Sequence, residues 1–404
     1  MYHNFMTIFG VPQLDDAELR VIEMIEELRS AMKLRLGDDI PRPWTGGLRR
    51  MLEARAIQGS NTIEGYDASL DDVLAVMDGE PPLDADTATR RALEGYQEAV
   101  TYALQASQDD YLFVDQGLLK AWHFMMLKHD LSKLPGRWRP GQIFVYDEQK
   151  AQQVYEGPAH ELVPELIQEM VEDLDYSSGA GAVPVIVRAA MAHLNLVMIH
   201  PFKDGNGRMA RCLQTYVLAR EKILAPTFSS IEEYLGTKAN TRAYYDVLAE
   251  VGQGEWNPQR DARPWVRFCL TAHFRQARTV IRRIEQAEGL WVVLSAVAKE
   301  RGLPERTVGP LCEAAIGRRV RRATYVANVD VTYGEVIPNL TASRDLKSLV
   351  TAGLFRPVGD KRGRYYLATD ALKNTFETIR SGSQPSGAAE DPFTLVQPQL
   401  ELQT

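Results

Sequence analysis

The densest run of groups capable of chemistry in this chain is His200 to Arg211, HPFKDGNGRMAR. Gly205 and Gly207 let the backbone approach a ligand closely, and the free N–H groups at the start of the following helix point into the loop. That combination makes an anion site. Arg208 and Arg211 lie three apart on one helical face and carry planar forks suited to phosphate oxygens, so a polyphosphate is the expected ligand. Asp204 would repel phosphates unless it holds a hard cation such as Mg²⁺ bridging their oxygens. His200, at the end of the preceding apolar helix, can act as general base for a hydroxyl that attacks a bound phosphate. Singly, these residues have plainer uses: a helix-end histidine balances the helix dipole, and Asp-Gly or Asn-Gly makes a turn. Their occurrence together between two apolar helices favours the chemistry.

The elements that must hold the loop are helical. Apolar residues recur at three and four in Asp16 to Leu36, Arg90 to Ala106, Gln116 to Lys128 and Glu161 to Leu174. Val185 to Ile199 is apolar almost all round, which predicts a helix buried in the centre of a domain, and a second helix, Arg208 to Ile223, follows. The stretch SSGAGAVP before them reads as a flexible connection ending with Pro184 in a helix's first turn. Gly141 to Pro158 is the exception, with β-rich IFVY and QQVY flanking a polar stretch as in a hairpin. The fold class expected is mainly α, with this short hairpin and a small C-terminal unit.

At 404 residues, 45% hydrophobic and 25% charged, the chain can bury sizeable cores in two or three domains. No apolar run reaches a membrane span and the first residues lack a basic flank, so a cytoplasmic location is expected. Cys212, Cys269 and Cys312 are scattered, which suits buried thiols rather than disulfides or zinc. Net charge is −8, yet residues 291–370 carry 13 basic against 8 acidic side chains.

The loop resembles the signature of the Fic family, HxFx(D/E)GNGRxxR, at every specified position: His200, Phe202, Asp204, Gly205, Asn206, Gly207, Arg208 and Arg211. The resemblance implies an all-helical catalytic core and transfer of AMP from ATP to a protein hydroxyl (Tyr, Thr or Ser), with pyrophosphate released. It further implies that His200 deprotonates the target and Asp204 holds Mg²⁺. Asn206 and the Gly205 and Gly207 amides would hold phosphates, Arg208 would meet the β-phosphate and Arg211 the γ-phosphate. Related phosphorylating sequences carry Lys where this chain has Gly207. His193 resembles a recurrent family position, for which a core hydrogen bond is the expected role.

Upstream, Ser60 to Gly65 reads SNTIEG. Helical spacing puts Ser60 and Glu64 on one face with Gly65 as the stop, and a carboxylate in a last turn opposes the helix dipole unless a cation offsets it. The stretch resembles the family's inhibitory motif, (S/T)xxxE(G/N), which implies that Glu64 pairs with Arg211 in place of the γ-phosphate. Likewise Ile143 to Tyr155, with Ile143, Phe144, Val145, Tyr146, Val154 and Tyr155, resembles the flap on which Fic proteins hold an extended target segment by strand addition. Pro135 to Arg139, PGRWR, resembles the connection into that flap.

From Thr341, a helix-capping candidate, the chain runs through an amphipathic helix to two β-rich runs around GDKRGR. This resembles a winged helix-turn-helix, with Arg344 and Lys347 facing outward and Lys361, Arg362 and Arg364 on the wing, and DNA is the partner it would imply. The expected domains are a helical region with the inhibitory helix (1–112), the catalytic core (113–225), a helical connector (226–290), the winged unit (291–370) and a disordered tail (371–404). ATP, Mg²⁺ and a target protein, the chain itself included, are the expected partners, with a homodimer left open. Two alternatives stand beside AMP transfer: a nucleotide-sensing DNA-binding regulator, and a hydrolase that removes AMP using the same pocket.

Overall fold

The computed structural model describes residues 7–37, 42–147, 152–174, 183–222, 226–360, 363–382 and 390–396. Helices dominate. The first is α1 (Asp16–Leu36), closed at its start by a capping box between Asp15 and Glu18. Next come α2 (Pro43–Ile63), α3 (Leu70–Met77), α4 (Thr87–Ala106) and α5 (Gln116–Leu127); Ser69, Asp86 and Asp115 cap the last three. Strands β1 (Phe144–Asp147) and β2 (Gln152–Glu156) precede α6 (Val163–Asp173), α7 (Val185–Ile199) and α8 (Asn206–Arg220). Beyond these lie α9 (Glu232–Leu235), α10 (Lys238–Gly252), β3 (Gly254–Glu255) and the 38-residue α11 (Arg263–Glu300).

Helix α7 is central because it has two apolar faces. Ala189, Ala192, Leu196 and Ile199 pack with α4, α5, α6 and α8, whereas Val187, Ala190, Met191, Leu194 and Met198 pack with α1, α10 and α11. An all-round apolar helix can satisfy both sides only between two layers. Pro184 stands just before α7 as its N-cap rather than inside its first turn. Helix α8 begins two residues before the expected Arg208, and residues 177–182 and 223 lie outside the described residues.

The hairpin expected at 141–158 is β1 against β2, antiparallel, with an irregularity at Val145/Tyr146; residues 148–151 lie outside the described residues. It is also part of a larger sheet. β3 pairs parallel with β2, in the order β1-β2-β3, and two residues of Gly-Glu gave no strand pattern to read.

The C-terminal unit comprises α12 (Val308–Ala315), α13 (Arg322–Tyr333), α14 (Asn339–Thr351), an antiparallel pair β4 (Phe355–Val358) and β5 (Tyr365–Ala368), and α15 (Asp370–Gly382). Helix α14 starts two residues before Thr341, after Pro338. Two expectations need correction. The connector and the C-terminal unit do not part at 290/291, because α11 runs through that point and Leu290, Leu294 and Ala298 belong to the C-terminal core. Nor is 371–404 a disordered tail throughout. Leu372, Phe376 and Ile379 of α15 pack on that core. A short helix α16 (Pro392–Val396) follows, and its Phe393 and Val396 rest on the cluster shared by α1 and α11. Apolar residues spaced along a Ser/Pro-rich composition were enough to anchor it; residues 383–389 and 397–404 lie outside the described residues.

Candidate active site

The loop between α7 and α8 turns through two left-handed residues, His200 (φ 51°) and Gly205 (φ 78°). His200 ends α7, its N–H donating to the Leu196 carbonyl (3.0 Å). Its Nδ1 donates to the Val197 carbonyl (3.1 Å), and because a carbonyl can only accept, the proton sits on Nδ1 and Nε2 keeps its lone pair. The ring retains some exposure, yet burial among its neighbours pushes its pKa down to about 4, against the opposing Val197 carbonyl, Glu64 and Asp204. His200 is therefore neutral near pH 7, with Nε2 available as a base.

Arg139 braces the loop from outside. Its N–H donates to the Pro201 carbonyl and its Nε to the His200 carbonyl (both 2.9 Å), while its terminal nitrogens bind the carbonyls of Gly141 and Pro158 at the base of the hairpin. Asn206 closes the turn from inside: its Oδ1 accepts from the Phe202 N–H and its Nδ2 donates to the Phe202 carbonyl (2.9 Å each). The buried side-chain amide of Asn206 is thus spent on the loop, which leaves its backbone N–H, the first of α8, to face a ligand. Phe202 is fully buried and stacks on His123 at 3.7 Å. His123 accepts the Gly136 N–H at Nδ1 (2.8 Å), so its Nε2 carries the proton to the Asp204 carbonyl (2.9 Å), and burial holds it neutral with a pKa of about 4.

Gly205 stands at the N-cap of α8 and offers no side-chain cap, leaving the helix's first amides directed at the loop. Arg211 is 1% exposed. Its Nε donates to Ser60 Oγ (2.8 Å), and one terminal nitrogen donates to the Ser60 carbonyl (3.0 Å) and to Glu64 Oε1 (2.7 Å). Ser60 and Glu64 thus share the face of α2 that meets Arg211, and Gly65 (φ 82°) turns the chain away. A side chain at position 207 would set its Cβ 2.5 Å from Glu64 Oε1, so Gly207 is what lets the carboxylate reach the fork. Arg208 is wholly buried, and its three guanidinium nitrogens find no partner among the described residues. It lies over the ring of Tyr66, 5.3 Å from the centroid.

Asp204 pairs with Lys133 (2.6 Å), which also reaches Tyr66 Oη (3.3 Å). Burial opposes ionisation of Asp204, but Lys133 and Arg208 hold its carboxyl below the usual range. No cluster of three or more potential metal-ligating side chains occurs among the described residues. One carboxylate still suits Mg²⁺, which takes few protein ligands and completes its shell with phosphate oxygens and water. A cation already sits at that oxygen in the form of the Lys133 ammonium.

His193 is not part of this constellation. It is buried between Gln214 Oε1 (2.6 Å) and Tyr244 Oη (3.0 Å), with a pKa that burial pushes down to about 3. The flap residues divide. Tyr155 is buried with its hydroxyl on the Met198 carbonyl (2.8 Å), and Val154 and Tyr155 belong to the middle strand; Ile143 precedes β1 and its carbonyl accepts the Gly157 N–H. Of the two hairpin strands, β1 is the outer one, and there Phe144 and Tyr146 are exposed while Val145 packs inward. Arg344, Lys347 and Arg364 are exposed far along the chain; Lys361 and Arg362 lie outside the described residues. All three cysteines are free. Sequence reasoning missed Tyr66, Lys133 and His123, each a lone residue made relevant by a long-range contact.

Residues 113–218 match the Fic/DOC family. The chain is 36% identical over 120 residues to protein adenylyltransferase fic-1 of Caenorhabditis elegans, an alignment covering 29% of this chain and 21% of that protein. With protein adenylyltransferase Fic of Nematostella vectensis it shares 26% identity over 272 residues, 64% of this chain and 55% of that one. The chain thus spans between about a fifth and about half of these relatives' length. A Fic family protein from Desulfovibrio desulfuricans G20 has a similar fold, with a TM-score of 0.55 at 22% identity over 89% of this chain and 98% of that one.

Proposed function

From the match of residues 113–218 to the Fic/DOC family we propose that this chain is a protein adenylyltransferase restrained by Glu64. The observation that carries the reading is Arg208. A guanidinium buried with no hydrogen-bond partner among the described residues is costly, and beside the uncapped start of α8 its natural complement is a phosphate.

In the proposed reaction the target hydroxyl oxygen attacks the α-phosphorus of ATP. The new P–O bond forms as the bond to the β-phosphate oxygen breaks, pyrophosphate leaves, and the hydroxyl proton passes to His200 Nε2. Arg208 and the α8 amides stabilise charge on the leaving group, and Arg211 does so once Glu64 releases it. Mg²⁺, held at Asp204, would neutralise phosphate charge. Glu64 excludes the γ-phosphate because one fork cannot serve two anions in one geometry. The outer edge of β1 offers main-chain groups to an extended target, which fits modest affinity with little side-chain demand.

Incubation with α-labelled ATP and Mg²⁺ tests this. Label should transfer to protein with Glu64→Gly, weakly with the wild type, and not with Glu64→Gly/His200→Ala. No label with Glu64→Gly would sink the reading.

A second reading concerns the C-terminal unit, where Arg344 and Lys347 on α14 and Arg364 before β5 are exposed. These would neutralise DNA phosphates in a winged-helix arrangement. Filter retention of duplex DNA at low salt, lost at high salt, is expected; no retention at low salt removes it.

A further inference from the structure

A cavity of about 200 Å³ lies away from the loop, where α2, α11, α12, α13 and α15 meet. Three of its walls are aromatic, Trp44, Trp291 and Phe376, and Leu48 and Leu290 add aliphatic surface. It is partly open to solvent, and an apolar cavity of about 150 Å³ is enough to hold benzene. One fused pair of rings fits the volume and the walls.

The polar feature is Glu313, which lines the cavity and is 4% exposed. Its Oε1 accepts from Asn328 Nδ2 (2.9 Å) and from Arg50 (3.2 Å), whereas Oε2 is buried with no partner among the described residues. An acceptor buried without a donor is unfavourable, so a ligand that brings an N–H or O–H gains a hydrogen bond here. It need not bring charge, since Arg50 already faces the carboxylate.

We propose that this cavity is a binding site for a small, neutral, planar aromatic molecule of about the size of indole that carries one N–H or O–H donor. One wall is α2, the helix that ends at Glu64, so an occupant touches the element whose other end holds Arg211.

Isothermal titration of the full chain with indole tests the site. Indole binds saturably and raises the melting temperature, as any ligand selective for the folded state must. N-methylindole, with the same rings and no donor, binds about tenfold more weakly. Ala287 lines the cavity, and Ala287→Phe fills it and abolishes indole binding. Ala287→Leu, a milder filler, weakens binding and covers the case in which the larger side chain prevents folding. The proposal is overturned if indole shows no saturable binding, if N-methylindole binds as tightly, or if neither variant changes the affinity. Every readout is binding, so failure here leaves the AMP-transfer reading standing, and failure of AMP transfer leaves this site standing.

Discussion

At the scale of single residues, the proposed restraint is a contest between Glu64 and ATP for Arg211. Its fork holds Ser60 and Glu64, and the pair joins a buried guanidinium to a carboxylate that keeps 21% of its side chain exposed. Charge-assisted hydrogen bonds of this kind are worth about 1.5–3 kcal/mol. Glu64→Gly should therefore lower the stability of the free protein by about that much and tighten ATP binding by about tenfold or more. Melting curves with and without ATP check both, since the variant should start lower and gain more. The acid limb of catalysis reports on His200. In the proposed reaction its neutral form is the base, and burial pushes its pKa down to about 4, so protonation that silences it sets in well below the usual 6.5. In Glu64→Gly, kcat/KM should stay level as pH falls to about 5 and drop below that; a fall centred near 6.5 would show an unperturbed imidazole. The loop that supplies these groups was legible because His200 to Arg211 is contiguous. Tyr66, Lys133 and His123 were not, since no spacing in the sequence tells a lone Tyr, Lys or His that it will meet Arg208 or Asp204.

At the scale of elements, α2 is the arm that carries Ser60 and Glu64, and its glycines set how closely it lies against its neighbours. A Cβ at position 59 would stand 2.2 Å from the Glu232 carbonyl oxygen and one at position 46 would stand 2.3 Å from that of Val331. Backbone cannot yield as a side-chain tip can. Gly59→Ala should push α2 from α9, cost about 1–3 kcal/mol in denaturation, and raise AMP transfer by loosening the arm. Gly47→Ala is the control: its Cβ would meet nothing nearer than Asn328 Nδ2 at 3.5 Å, and it should leave stability level or slightly higher. Equal losses from both would count against the close-approach argument. The helices were readable from apolar periodicity where, as in α1 and α4, one face is buried. The third strand was not, because β3 is two residues long and exists only through β2, and α16 was masked by its polar flanks.

At the scale of the whole molecule, α11 joins what the sequence divided. Along its 38 residues, about 57 Å at 1.5 Å each, it serves three clusters in turn: Trp265 to Phe274 beside α7, then Ala277, Val280 and Ile284 against α2, then Leu290, Leu294 and Ala298 in the C-terminal core. Buried ions add a second link, since Arg50 of α2 meets both Asp78 (2.6 Å) and Glu313 of α12 (3.2 Å). A C-terminal unit tied through a continuous helix and a buried cation should not melt alone. Heating should give one transition, coincident by far-ultraviolet circular dichroism and by tryptophan fluorescence. Glu285 lies on α11 between the second and third clusters, and its exposed pair with Arg35 (3.1 Å) contributes little. Glu285→Pro removes a helical hydrogen bond and kinks the helix there, at a cost of about 3 kcal/mol. It should split the melt in two, while Glu285→Ala keeps it single. One transition in the proline variant would mean that the contacts between α2 and the C-terminal unit couple the halves without help from α11.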